Sequence, residues 1–135
     1  MTSIADEMAG YIASKIAGLT LGTNLFVGGE PEAPANAVTV YDTGGFSPHQ
    51  TIAGTRFVRH PSIQIRVRNS SFVAGEAIAA DIREEIEKIV HQTISDRWYL
   101  GAFESGDIIH LGRIDTAAGL AHVWTMNFLI HVEDK

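Results

Sequence analysis

Apolar positions recur at three- and four-residue spacing over residues 3–19, where Ile4, Met8, Tyr11, Ile12, Ile16 and Leu19 fall on one face of a helix. Ser3 is placed to cap it, and Asp6 and Glu7 sit where the helix dipole favours negative charge. Gly10 costs a little inside it, and Gly18 and Gly22 mark its end. A short apolar run at 24–27 reads as a strand. Residues 28–36, with Gly28, Gly29, Pro31 and Pro34, read as a turn or loop. Residues 37–42 are rich in Val, Thr and Tyr and read as a second strand. From 43 to 55 periodicity disappears, and Gly44, Gly45, Pro48 and Gly54 suggest a long loop of the kind that often carries function.

Alternation returns over 56–68. Ile63, Ile65 and Val67 interleave with Gln64, Arg66 and Arg68, giving one apolar and one polar face, and Pro61 lies near the start, where a lost backbone donor is tolerable. The clearest helix spans 72–92. Ser70 or Ser71 caps it, Ile78, Ile82, Ile86, Ile89 and Val90 form its buried stripe, and Glu84 stands four residues before Lys88. Strands are expected at 98–103, 107–114 and 121–132, with a turn at 116–119. On the last strand Trp124, Met126, Phe128, Ile130 and Val132 point one way, and Val123, Thr125, Asn127, Leu129 and His131 the other. This order predicts an α+β domain over residues 1–135: a single, mostly antiparallel sheet with two main helices on one face, its last two strands forming a hairpin.

Composition narrows the chemistry. The chain has 135 residues, a size that suits one domain, and 45% of them are hydrophobic. A formal net charge of −6 argues against general DNA binding, which draws its affinity from Lys and Arg. Without cysteine there is neither a disulfide framework nor a thiolate metal site. The N-terminal residues lack the basic start and apolar run of a signal peptide, and no apolar stretch approaches the ~18 residues of a membrane span. The histidines at 49, 60, 91, 110, 122 and 131 include no pair at helical ligand spacing, so no metal site is expected. Gly28-Gly29 and Gly44-Gly45 lack the spacing and the lysine of a phosphate loop.

Two clusters invite function. Asp42-Thr43-Gly44 after an apolar strand matches the signature of an aspartic protease, and two such Asp residues in a retropepsin-like homodimer would share a proton and activate water. The segment Ile108-Ile109-His110-Leu111-Gly112-Arg113 mimics the later apolar–Gly stretch of such enzymes. That fold is nearly all β, whereas two amphipathic helices are expected here, one of them before the motif. The competing reading is a strand ending in a Gly turn with Asp42 bonded to backbone amides. The other cluster holds Arg56, Arg59, Arg66 and Arg68, with His60 nearby. Their planar guanidinium groups suit a subunit interface or a DNA-facing surface as well as a solvated strand face. Phe46 and His49 in the 43–55 segment are further candidate anchors for a neighbour.

Three stretches, in order, carry a resemblance to a family. They are Leu21-Gly22-Thr23-Asn24-Leu25-Phe26-Val27-Gly28 followed by Pro31; Ala37-Val38-Thr39-Val40-Tyr41-Asp42-Thr43-Gly44-Gly45 leading to Pro61-Ser62-Ile63-Gln64-Ile65-Arg66-Val67-Arg68; and Leu111-Gly112-Arg113-Ile114-Asp115, then Gly119, then Met126-Asn127-Phe128. Together they resemble small head–tail proteins of tailed bacteriophages, the minor capsid proteins related in fold to tail terminators. Ile114 interrupts a Gly-Arg-Asp sequence common in that family. The resemblance implies a structural virion protein with no catalytic residues and no cofactor. It further implies assembly in the host cytoplasm into a ring, a hexamer, at the head–tail junction. Its partners would be its own copies, the tail tube protein and a head-completion or connector protein, with genomic DNA passing through the channel without sequence-specific binding. A head-side connector or stopper ring fits the same resemblance. The expected interface residues are Phe46, His49, Arg56, Arg59, Gln64, Arg66 and Arg68.

Overall fold

The computed structural model describes residues 3–50, 57–116 and 119–134. In chain order the elements are α1 (Ile4–Lys15), β1 (Leu25–Val27), β2 (Ala37–Gln50), β3 (Phe57–Asn69), α2 (Phe72–Glu87), β4 (Val90–Ile94), β5 (Arg97–Glu104), β6 (Ile109–Thr116) and β7 (Gly119–Asp134). The sheet runs β1-β2-β3-β7-β5-β4, and β6 joins it through β7. Only the β1–β2 pair is parallel, so the fold is α+β with a mixed, mostly antiparallel sheet. β7 is its axis. One edge pairs with β3, while the other is divided between β6, opposite Gly119–Thr125, and β5, opposite Phe128–Glu133.

Alternation on the two central strands builds the core. Ile63, Ile65 and Val67 of β3 stand opposite Phe128, Met126 and Trp124 of β7, and all six are buried. Ile4, Met8 and Ile12 of α1, Ile82 and Ile86 of α2, and Ile89 just beyond it close over them in one cluster. Both helices begin as their sequences predict. Ser3 accepts from the Asp6 amide at 3.1 Å while Asp6 accepts from the Ser3 amide at 3.4 Å, and the Ser71 hydroxyl accepts from the Ala74 amide at 3.2 Å.

Three boundaries differ from expectation. α1 stops at Lys15, because Ile16 turns extended; Ile16 and Leu19 still pack on the core, but from the loop that follows. α2 stops at Glu87, and Val90, expected in its buried stripe, is 59% exposed as the first residue of β4. The segment Val-His-Gln-Thr-Ile is rich in β-branched residues, and pairing with β5 satisfies its backbone better than another helical turn would. The third difference lies in residues 43–50 of the segment expected to be a loop over 43–55, the rest of which lies outside the described residues. β2 continues through it to Gln50, still paired with β3, and the register shifts between Asp42 and Gly44 and between Phe46 and His49. Each shift breaks the two-residue period, which is why the alternation vanishes from the sequence although the strand does not end.

Gly75 sits in the first turns of α2, where propensity disfavours it. A Cβ there would lie 2.2 Å from the Trp124 ring and 2.9 Å from the Asn69 Cβ. The bare backbone lets the six-membered ring of that indole approach the helix closely. Gly75→Ala should therefore destabilise by about 1–3 kcal/mol despite the better helix former; chemical denaturation would measure it, and a stabilised variant would show that the ring has room to move.

Candidate interaction surfaces

The protease signature takes a structural role. The Ala5 amide, in the first turn of α1, donates to Asp42 Oδ1 at 3.1 Å. Asp42 thus satisfies one of the amides that a helix start leaves unpaired, and its charge complements the dipole there.

Beneath the same helix lies a polar cluster that helical spacing could have disclosed, since Glu7 falls three residues after Ile4 and four before Tyr11 within the apolar stripe. The Glu7 side chain is 1% exposed and that of Arg97 is 10% exposed. Arg97 Nε donates to both carboxylate oxygens at 3.2 Å, and the Tyr99 hydroxyl donates to Oε1 at 2.8 Å. Burial pushes the Tyr99 hydroxyl well above the ordinary phenol range; the Glu7 hydrogen bond and charge add to this, and Arg97 and Arg59 oppose it. Arg59, paired with core-facing Val132, therefore lies on the helix side of the sheet, not on the polar face.

The four arginines expected to share a surface are separated. Arg56 lies outside the described residues. Arg68 is 3% exposed: its Nε donates to the Ala35 carbonyl at 3.2 Å, its Nη2 to the Pro34 carbonyl, and Glu30 Oε1 lies 3.8 Å from its Nη1. Arg66 Nε stands 3.1 Å from Glu30 Oε2. Glu30 and the loop after β1 thus fold back over this end of the strand, where one carboxylate is shared between two cations, a long-range contact that local alternation does not reveal. Phe46 and His49 lie on the far stretch of β2, flanking the second register shift. Gln64 does face outward, and its side-chain amide donates to Asn127 Oδ1 at 3.3 Å.

Gln64 opens onto a larger surface. The sheet face away from the helices carries His60, Gln64, Asn127, Leu129 and His131 across β3 and β7, continued by Phe103 on β5, which is 60% exposed. Nδ1 of His60 and Nδ1 of His131 are 2.7 Å apart, so one ring donates and the other accepts, and the Phe103 ring lies 5.4 Å from that of His131. Beyond the loop over Arg66 and Arg68, no described element covers this face.

A second surface gathers where α2 begins beside β6. Phe72, 42% exposed, packs edge-on against His110 and tilted against Trp124, with centroids 5.0 and 5.5 Å away. His110 Nε2 lies 3.1 Å from His122 Nδ1. Nearby, Arg83 bonds Asp107 at 2.8 Å and stands 3.7 Å from Glu104, whose carboxyl is pushed up by burial and only partly lowered by that arginine. Among the described residues no group of three or more His, Cys, Asp or Glu is arranged to hold a metal, and no helix is long and apolar enough to cross a membrane.

The model of the family described as bacteriophage tail terminator protein matches residues 14–134. No curated protein sequence matches the chain. Chains of solved structures do, 22 of them. One comes from a structure titled as the virion of a native gene transfer agent particle: it is 14% identical with a TM-score of 0.59, and the match covers 99% of this chain and 100% of that one. At that identity the likeness is one of fold.

Proposed function

Because the chain belongs to the bacteriophage tail terminator family, and so is a structural component of a virion with no enzymatic role, we propose that its copies close into a ring on the last ring of the tail tube. Once seated, the ring presents a far face that no further tube ring can bind, so growth stops and the head can dock. A hexamer suits a long-tailed particle; the order of symmetry is read from the family, as is passage of DNA through the channel. In a closed ring each joint is heterologous, one patch meeting a different patch on the next subunit.

The observation that carries this reading is the uncovered sheet face, where apolar Phe103 and Leu129 sit among the hydrogen-bonding side chains Gln64, Asn127, His60 and His131. An apolar centre within a polar rim is the usual anatomy of a protein–protein contact. The far end of β2 extends the same sheet and serves as the second patch. Arg66 and Arg68 are left out of the joint, because both are already engaged by Glu30 and the loop that carries it.

The test is electron microscopy of the purified protein alone and mixed with tail tubes. Rings, or capped tube ends, are expected for the parent chain. Phe103→Glu combined with Leu129→Glu should abolish them while circular dichroism and the unfolding midpoint stay near those of the parent. Rings that persist in the double variant would remove the sheet face from the joint. Rings that bind isolated heads but never tube ends would move the protein to the head side of the junction.

A further inference from the structure

We infer that the surface at the start of α2 is a docking site for a basic segment of another protein of the particle, with an arginine or lysine side chain seated in the pocket between α2 and β6. The pocket encloses about 280 Å³ and is lined by Phe72, Glu76, Ala80, Asp107, His110 and Trp124 around Arg83. One wall is aromatic: the His110 and Trp124 centroids are 5.1 Å apart, and Phe72 packs against both. The rim is acidic. Glu76 is exposed and has no ion-pair partner among the described residues, and Asp107 is 84% exposed, with Arg83 held between it and Glu104. A planar cation that stacks on aromatic rings and pairs with carboxylates fits those two features together.

The surface around the pocket points to the same occupant. Val73, next to Phe72, is 77% exposed, more than any other large hydrophobic residue described. Asp81, Glu84 and Glu87 carry the acidic character along the exposed side of α2, where Lys88 is the only exposed cation and is taken up by Glu84 and Glu85. Arg66, Arg68, Arg83 and Arg97 are all committed to carboxylates of their own chain. A subunit of net charge −6 that commits four of its seven arginines to its own carboxylates has less positive charge to offer a second copy at this patch, and the patch repels DNA. A basic protein segment is the complementary partner.

The inference does not depend on ring closure, and its test needs neither heads nor tails. The probe is a dye-labelled tetra-arginine peptide, followed by fluorescence anisotropy at low and physiological salt. Phe72→Ala and Glu76→Gln, both exposed positions, should each weaken binding about three- to tenfold, whereas Asp81→Asn with Glu84→Gln, outside the pocket, should change it far less. Thermal unfolding of each variant confirms that it is folded. Equal losses in all variants, or no loss in Phe72→Ala, would mean diffuse attraction to an acidic surface and would overturn the proposal. So would a dye-labelled duplex oligonucleotide, titrated without the peptide, that binds the protein and loses that binding in Phe72→Ala.

Discussion

Glu7→Ala is expected to destabilise the protein by about 3–5 kcal/mol, because it removes the carboxylate on which the buried Arg97 guanidinium rests. At this chain length that lowers the melting temperature by roughly 4 °C for each kcal/mol. The carboxylate receives Arg97 Nε on both oxygens and the Tyr99 hydroxyl on one, with the glutamate 1% and the arginine 10% exposed. Removing Arg97 as well should recover part of the loss, since the double variant no longer buries the guanidinium that the missing carboxylate held. Calorimetry on the two single variants and the double one measures the coupling. A cost below about 1 kcal/mol for Glu7→Ala would mean that Arg97 swings out to water and that the pair contributes little.

The second large effect is expected at Gly45. Its φ is +108°, and a Cβ there would fall 2.0 Å from the His60 carbonyl oxygen and 2.8 Å from the Pro61 Cα on the neighbouring strand. The positive φ alone costs a residue with a side chain about 1–2 kcal/mol, and relieving the contact adds about 1–3 kcal/mol. Gly45→Ala should therefore lose about 2–5 kcal/mol in chemical denaturation, and the loss should begin locally. Amide exchange should quicken first along Phe46–Gln50, beyond the bulge. Gly44→Ala is the control: its φ is +91° but the space around it is open, so only the conformational part remains. Equal losses at the two positions would show that β3 yields and that the close approach is not needed.

The two helices, their caps and the central strands were legible because each buries one face against a single core, which imposes a period on the sequence. Ile63, Ile65 and Val67 against Gln64, Arg66 and Arg68, and the alternation from Trp124 to Val132, fix both strands and the side each turns inward. The extension of β2 was not legible, because its register shifts erase the alternation that marks a strand. β4 was hidden in the tail of α2, where Ile89 and Val90 continue a helical spacing for one turn more than the helix itself does. The arginines illustrate a different limit. Alternation correctly put Arg66 and Arg68 on the polar face, but their partner Glu30 comes from a loop more than thirty residues earlier, and nothing local to β3 announces it. In the sequence Glu7 reads only as a first-turn charge that suits the helix dipole; its place in the apolar stripe hints at burial, but its partners are ninety positions and more down the chain.

The sharing of β7 among three neighbours bears on how a subunit carries load. A strand paired along one edge can be peeled away one hydrogen bond at a time. β7 is held by β3 along one side and by β6 and then β5 along the other, so tension directed along it is resisted in shear by bonds to all three. A tug at the β6–β7 turn is passed through one continuous backbone to β5 at the opposite end, with no hinge between. For a component of a virion, that makes the sheet a stiff strut that keeps its shape under load.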